Sequence, residues 1–448
     1  MFEYPQQAEA LGEVAGFLGY CSHRLLSAPE KPILRLSFSV GPYQMTTTVR
    51  LLFSVFLSLS ILLIGHGLQQ TLLPLVAQEF GWSPWVIGLT GSAYFSGFLV
   101  GCFCVSHLIQ GVGHIRVFAV CSACAVVSIL VLEKWQVVWV WIACRAVTGF
   151  SFAGLYLVLE SWLNERAPAE ARGSVLSFYG FLSLIAMALG QLLVGEADLS
   201  AGAGAVAILL ALSIVPVSLT RSAQPDPPAD VRLSFKDAYH ASQVGLVLAG
   251  VSGFVLGLVW SNGAVYANTL APNSGATFIL SVLIGGLVCQ LPLGRLSDRV
   301  DRRWVLLGLC VSACVGVFVC ISSGMSIVSL YSLGFVLGAT AMPMYSLAIA
   351  HANDNAQGKF LVITSAMLVA NGLGATLGPL LYGGLNAIGF EGVYFLVIGM
   401  IYLLGAIWTV SRLTLYHRSR TYFEPYQMMP KTTLGVAEID PRNEEADG

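Results

Sequence analysis

Charged residues are scarce in this chain. Asp, Glu, Lys and Arg make up 10% of its 448 residues, whereas hydrophobic residues make up 56%. Soluble domains carry about 25% charged residues, so this composition argues against a soluble globular protein. The net charge of −2 and the spread of the cations along the chain also argue against a nucleic-acid groove. We therefore expect a membrane protein with no nucleic-acid partner.

Motifs that carry chemistry are missing as well. The sequence contains no nucleotide-binding P-loop and no catalytic constellation such as paired acids, a histidine cluster with metal spacing or an activated serine. All of the ten cysteines except Cys21 fall in apolar runs, where a cysteine behaves as a small packing residue. We expect neither an enzyme nor a bound cofactor or metal.

Long apolar runs are what the chain does contain. Each reaches roughly the 17–25 residues that a helix needs to cross a bilayer. They predict an all-α, polytopic membrane protein with 12 transmembrane helices. The runs lie near 49–73, 86–108, 116–132, 137–160, 173–195, 201–220, 243–267, 276–294, 304–322, 326–350, 360–384 and 392–411.

The positions of Lys and Arg relative to these runs predict the orientation of the chain in the membrane. If the amino terminus is cytoplasmic, every Lys and Arg falls on the cytoplasmic side except Lys134, in an outer loop, and Arg145, inside the fourth run. Cytoplasmic loops of membrane proteins carry an excess of Lys and Arg. The pattern therefore predicts that both termini are cytoplasmic.

The two ends of the chain differ from the middle. Residues 1–44 contain four prolines, scattered charges and no apolar run, and Met45 stands shortly before the first one. We expect this segment to be either disordered or absent because translation starts at Met45. Residues 413–448 are polar and end in acidic residues, which predicts a disordered cytoplasmic tail.

A polar segment at 221–242, which begins with three closely spaced prolines, divides the runs into halves at 45–220 and 243–412. The halves repeat each other. Gly149-Phe150 recurs as Gly334-Phe335, and the loop 106–116 recurs as 294–304, at almost the same separation along the chain. Duplicated halves are a common architecture of secondary transporters.

Three motifs carry a resemblance to a family. Residues 294–303 read GRLSDRVDRR and resemble the loop signature G-x-L-x-D-R-x-G-R-R of the major facilitator superfamily, with Asp301 in place of a glycine. Arg145, Gly149 and Gly154 are similar to its fourth-helix motif. Residues 374–384 resemble its glycine-proline motif, moved into the second half. The segments 160–166 and 350–354 look like a bacterial branch of transporters whose substrate is unassigned.

The resemblance implies two pseudo-symmetric six-helix bundles that rock around a site at the membrane midplane. It implies a transporter of the bacterial inner membrane with a small-molecule substrate and the lipid bilayer as partners, and we expect a monomer. The energy source would be a proton gradient. Two alternatives stay open, which are a multidrug/proton antiporter and a transporter-like receptor without net transport. The fifth run contains Gly190-Gln191-Leu192 and no proline, so it departs from the family's antiporter motif.

The loop signature predicts a cytoplasmic gate. An aspartate there can cap a helix of the other half and bond nearby arginines. The alternative is that the arginines are simply positive-inside anchors. In the first half Gln110 replaces the aspartate, so a second polar cluster at the end of the fourth run would substitute, reaching toward Arg116 or His114. The gate candidates are Asp298, Arg299, Arg302, Arg303, Glu160 and Arg166.

Arg145 is the strongest candidate for substrate binding. It lies about 12 Å inside its helix, at about 1.5 Å per residue, and no Asp or Glu falls near the middle of any run. Ionisable residues inside the membrane are costly and mark pathways by default. An unpaired cation favours an anionic or carboxylate-bearing substrate. The alternative is a structural arginine bonded to backbone carbonyls.

His66 is the second ionisable candidate within the bilayer. The ordinary pKa of histidine suits proton coupling, but a neutral histidine bonded within the bundle fits the sequence equally well. Other polar or amphipathic side chains could line the pathway, although periodicity cannot assign faces to helices that are apolar all round. They are Gln69, Gln70, Gln191, Trp260, Asn262, Tyr266, Gln290 and Asn371.

Overall fold

The computed structural model describes residues 52–167, 172–195, 199–219, 233–356, 359–390 and 392–415. The predictions for 1–44, for most of the segment 221–242 and for nearly all of the tail 413–448 lie outside these residues. Within the described residues the regular structure is entirely helical, which confirms the all-α prediction.

Twelve helices among the described residues are long and apolar enough to span a membrane. The twelve predicted runs match them one for one. They are α1 Phe53–Glu79, α2 Pro84–Val112, α3 His114–Lys134, α4 Val138–Arg166, α5 Arg172–Leu192, α6 Leu199–Ser218, α7 Gln243–Leu270, α8 Gly275–Ser297, α9 Arg302–Ser322, α10 Ile327–Asn353, α11 Phe360–Ala387 and α12 Tyr394–Thr414.

Several helices begin at a side chain that accepts hydrogen bonds from the first turn, where backbone amides have no partner within the helix. Ser83 caps α2 with Pro84 at the first helical position, and Ser242 caps α7. Asp301 caps α9 through the amide of Arg303. These caps fix where the spans start, which hydropathy alone leaves open by several residues.

The halves, α1–α6 and α7–α12, show pseudo-symmetric packing. In the first half α1 packs on α5, and α2 packs on α4. The equivalent pairs in the second half are α7 with α11 and α8 with α10. Close approach at glycines repeats too, because a Cβ at Gly149 would overlap the carbonyl of Tyr94, and one at Gly338 would overlap the carbonyl of Val282. The halves meet where α2 packs along α11 and where α5 packs on α8.

Helix α7 is not regular. Residues Val259–Gly263 form a π-helical turn between two α-helical segments, Gln243–Leu258 and Ala264–Leu270. Single π turns inside α-helices occur frequently at functional sites. Nothing in the sequence Val-Trp-Ser-Asn-Gly predicted it. The turn places Trp260, Ser261 and Asn262 at the contact between the halves, as described below.

Candidate functional site

A cavity of about 210 Å³ lies between the halves. Its walls come from α1, α2, α4 and α5 on one side and from α7, α8, α10 and α11 on the other. Such a position, between two repeats, is where secondary transporters bind substrate. The wall includes the polar or amphipathic side chains of His66, Gln70, Tyr94, Tyr156, Ser183, Trp260, Gln290 and Asn371.

Arg145 stands directly behind this wall. Its side chain is 3% exposed, and Nη2 donates a hydrogen bond to Oε1 of Gln70 at 2.9 Å. The guanidinium also lies over the ring of Tyr94, 4.6 Å from its centroid. Nη1 has no hydrogen-bond partner within the described residues, and no described acid forms an ion pair with Arg145. The cation does not line the cavity itself. It contacts two residues that do, Gln70 and Tyr94.

His66 lines the cavity beside this pair. Its Nε2 lies 3.3 Å from the hydroxyl of Tyr94, and its ring packs on Phe152 with centroids 4.0 Å apart. Nδ1 is buried without a hydrogen-bond partner among the described residues. Such an orphaned polar atom is costly unless water or a ligand satisfies it. His66, Gln70, Tyr94 and Arg145 thus form one polar cluster, which we call the arginine cluster.

The other predicted pathway residues divide into two groups. Trp260, Gln290 and Asn371 line the cavity. The Nε2 of Gln290 donates to Ser346, and the Nδ2 of Asn371 donates to the carbonyl of Ala249.

The remaining predicted residues lie elsewhere. Gln191 donates to the carbonyl of Gly67 at 2.8 Å and accepts from Thr71 at 2.6 Å, so it ties α5 to α1. Gln69 is fully buried, and its amide atoms have no hydrogen-bond partner among the described residues. Tyr266 stacks on Tyr394 with centroids 4.7 Å apart. None of these three belongs to the cavity wall.

Asn262 belongs to a contact between the halves. Its Nδ2 donates to the carbonyl of Pro84 at 3.3 Å, at the end of α2 that carries few cations. At the same end Ser92 donates to the carbonyl of Thr376 at 2.7 Å, and Gly91 packs so tightly on Ser261 that a Cβ would overlap that side chain. The halves are therefore in contact at this end, which we call the cation-poor end.

An aromatic wall of the cavity was missed by sequence reasoning. Phe95, Phe98 and Tyr156 line it together with Tyr94 and Cys102. Residues 94 and 98 lie one turn apart on α2, a spacing that places both on one face. In a helix that is apolar all round, that spacing could not show which face meets the cavity.

At the other end of the molecule, Arg302 is fully buried. Its Nε lies 3.0 Å from Asp354 Oδ2 and its Nη2 lies 3.4 Å from Asp298 Oδ1. A simple positive-inside anchor would extend into solvent, as the exposed Arg299 does. The ion pairs of Arg302 with two acids therefore go beyond what an anchor requires. Both of these acids belong to the second half, as Arg302 does, and a role in gating stays a prediction.

Asp301, the departure from the family signature, has a local role. It accepts from the backbone amide of Arg303 at 2.9 Å and pairs with that guanidinium at 2.7 Å. Burial would raise the pKa of Asp301, but the hydrogen bonds from Arg303 outweigh it and hold the pKa below its ordinary value. The aspartate therefore fixes the start of α9, a task that a glycine could not perform.

Glu160 is buried at the end of α4, and its role in a gate stays a prediction. It was predicted in a polar cluster at the end of α4, but the side chain is 0% exposed and accepts a hydrogen bond from the hydroxyl of Tyr179 at 2.8 Å. Arg166, predicted in the same cluster, lies over the ring of Trp162 at 4.4 Å. Arg116, one of its expected partners, is exposed.

The comparisons with known proteins agree with this architecture, which is that of a multi-pass membrane carrier. The family model described as Major Facilitator Superfamily matches residues 55–243 and 244–425. The chain belongs to this superfamily.

Among its relatives is the uncharacterized MFS-type transporter YcaD of Escherichia fergusonii, 29% identical over 344 residues that cover 75% of this chain and 87% of that protein. YcaD of Escherichia coli O6:K15:H31 is 29% identical over 345 residues, with coverages of 75% and 88%.

Solved structures show the same fold. The nucleoside transporter NupG matches with a TM-score of 0.64 at 12% identity, covering 82% of this chain and 99% of that one. A variant of the Escherichia coli fucose:proton symporter FucP matches with a TM-score of 0.52 at 13% identity, covering 84% and 100%. The protein is thus a secondary transporter in a membrane and not an enzyme.

Proposed function

We propose that this protein carries a small organic anion across the bacterial inner membrane by alternating access, driven by a proton gradient, with both termini in the cytoplasm. The observation that carries the proposal is the position of Arg145. It is a buried guanidinium behind the cavity wall, with no described acid as its counter-ion.

Arg145 is buried without a described counter-ion, which raises the free-energy cost of its charge. A cation inside the membrane is costly, and such charges pair with one another or with backbone carbonyls. Here the contacts of Arg145 are an amide oxygen and a ring face, and one nitrogen has no partner among the described residues. A carboxylate in the cavity would lie on the Gln70 and Tyr94 side of this cation and would lower the cost of burying both charges. His66 adds a second donor in the same place.

Proton coupling has separate support. The structural relative FucP is titled a fucose:proton symporter. No P-loop is present in the sequence to supply energy from a nucleotide.

A neutral polar substrate is the second candidate. The cavity wall is rich in aromatic rings and carries the amides of Gln290 and Asn371. Aromatic faces and paired amides suit a ring-bearing, hydroxylated molecule as well as an anion. The names of the structural relatives, a nucleoside transporter and a fucose symporter, favour this candidate.

A binding screen separates the two. The full chain in detergent would be tested by thermal shift against benzoate and gluconate, uridine and fucose, and tetraphenylphosphonium. Each compound that stabilises would be tested again with Arg145→Gln and with Arg116→Gln, a matched control at an exposed arginine. Stabilisation by a carboxylate that Arg145→Gln abolishes and Arg116→Gln keeps supports the proposal. Stabilisation by uridine or fucose that survives Arg145→Gln would replace it with the second candidate.

A receptor without net transport would pass this binding test. Accumulation in sealed vesicles distinguishes it, because a receptor binds the compound but does not concentrate it inside. Accumulation of tetraphenylphosphonium outside, against its gradient, would instead favour the multidrug antiporter.

A further inference from the structure

The arginine cluster does not use the carboxylate of Glu160. Glu160 is 0% exposed, and among the described residues no other Asp or Glu belongs to the buried class. A buried carboxyl in a transmembrane helix is costly when ionised and by default marks a proton relay or a pathway. Its position in α4 therefore calls for an explanation beyond the packing of that helix.

The hydrogen bond of Glu160 crosses between helices. Oε1 accepts from the hydroxyl of Tyr179 on α5 at 2.8 Å. A hydroxyl can donate to the ionised carboxylate, and it can also accept from the protonated acid. Tyr179 is thus a partner for both protonation states.

Glu160 lies one helical turn beyond the cavity. Tyr156, one turn earlier on α4, lines the cavity, and residues at this spacing are neighbours on one helix face. Cys102 on α2 also lines the cavity and interacts electrostatically with Glu160. Glu160 therefore lies next to the cavity wall without belonging to it.

Glu160 also faces the second half. Tyr345 on α10 is buried, and it interacts electrostatically with Glu160. An acid of the first half and a tyrosine of the second half thus lie near each other, where the halves must separate during alternating access.

The other titratable groups on the helices packed around α4 complete the surroundings. On α3 they are the buried His114 and Cys121, the latter opposite Gly154. On α1, His66 packs against Phe152. The nearest cations in sequence are Arg166, at the end of α4, and Arg172, at the start of α5.

We infer that Glu160 is the site that binds the coupling proton, one turn from the substrate cavity and at the contact between the halves. The inference rests on the proposed function and assigns its proton to a residue other than His66. Protonation would remove the charge opposite Tyr345, and return of the carrier would require the proton to leave.

The test uses the full chain in liposomes and two measurements. The first is infrared difference spectroscopy between acidic and alkaline pH, which detects carboxyl protonation without any substrate. Wild type and Glu165→Gln, a control at an exposed acid on the same helix, are expected to share a titrating carboxyl band that Glu160→Gln lacks. A band unchanged in Glu160→Gln overturns the inference.

The second measurement separates coupling from binding. With the compound found in the binding screen, Glu160→Gln is expected to keep exchange across the membrane without a gradient and to lose accumulation driven by a proton gradient. Accumulation that survives in Glu160→Gln overturns the inference and leaves the proposed function intact. Wild type that neither exchanges nor accumulates the compound refutes the proposed function itself, whatever the infrared result.

A third variant covers misfolding. If Glu160→Gln is not monodisperse, Glu160→Asp keeps a carboxyl that is shorter by one methylene. A shifted titrating band in Glu160→Asp then supports the inference, and a band identical to that of wild type overturns it.

Discussion

Arg145 donates a hydrogen bond to Gln70 across the contact of α4 with α1, and Gln70 in turn lines the cavity. Gln70 therefore connects the buried guanidinium to the cavity wall. His66 and Tyr94 hold the same cluster together from α1 and α2.

The first prediction concerns the shape of this cation. Arg145→Lys keeps the charge but loses the planar fork that bonds Gln70 while covering Tyr94. We expect the affinity for the anionic compound to fall about tenfold, the equivalent of about 1.4 kcal/mol. Titration calorimetry measures this, with Arg116→Lys as the control. Equal affinity in Arg145→Lys and wild type would show that charge alone is needed.

The second prediction concerns the buried pair of Arg302 and Asp354. Asp354→Asn leaves the fully buried Arg302 without one of its acids, and breaking such a buried pair costs about 3 kcal/mol or more. The melting temperature should fall clearly. Asp237→Asn, which breaks an exposed pair with Lys359, is the control and should change it little. Equal effects of the two variants would contradict the structural importance of the buried pair.

The third prediction is a pH dependence at Asp301, whose pKa is lowered by Arg303. A group with a lowered folded pKa stabilises the protein above its unfolded pKa of about 3.9, and that stabilisation is lost as the pH falls through the folded value. Asp301→Asn should remove this part of the acid sensitivity. Melting curves between neutral pH and about pH 3 measure it. Acid sensitivity that is the same in wild type, Asp301→Asn and the control Glu165→Gln would contradict it.

The fourth prediction concerns closure at the cation-poor end. Gly91→Leu would place a bulky side chain against Ser261, where even a Cβ overlaps. We expect the halves to stay apart there, so spin labels on α2 and α7 at that end should report a longer distance than in wild type. Gly204→Leu is the control, because a Cβ at Gly204 meets nothing within 4 Å. An unchanged distance in Gly91→Leu would show that the contact is not part of a closing surface.

The sequence was sufficient for the fold, and it singled out residues that line the cavity or lie behind its wall. Hydropathy located all twelve helices because a bilayer demands long apolar runs, and Arg145 and His66 stood out because ionisable residues are rare in them. The aromatic wall could not be predicted, since apolar helices carry no signal for the face that meets a cavity.

Other features depended on tertiary contacts. Gln191 was predicted to line the pathway, but its amide bonds Gly67 and Thr71 on α1. Sequence spacing does not show such a contact between helices. Glu160 was expected in a polar cluster at the end of its run, and its full burial with a hydrogen bond from Tyr179 could not be read from the sequence. The repeat that relates 106–116 to 294–304 makes His114 equivalent to Arg302. Both side chains are buried, which neither a histidine nor an arginine at the end of a run would predict.

The most direct test of the account is uptake of the anionic compound into liposomes that contain the full chain, under an inward proton gradient. We predict accumulation above the external concentration in wild type, abolition when the proton gradient is collapsed, and loss in Arg145→Gln but not in Arg116→Gln. Accumulation that Arg145→Gln leaves unchanged would contradict the assignment of an anionic substrate to the arginine cluster.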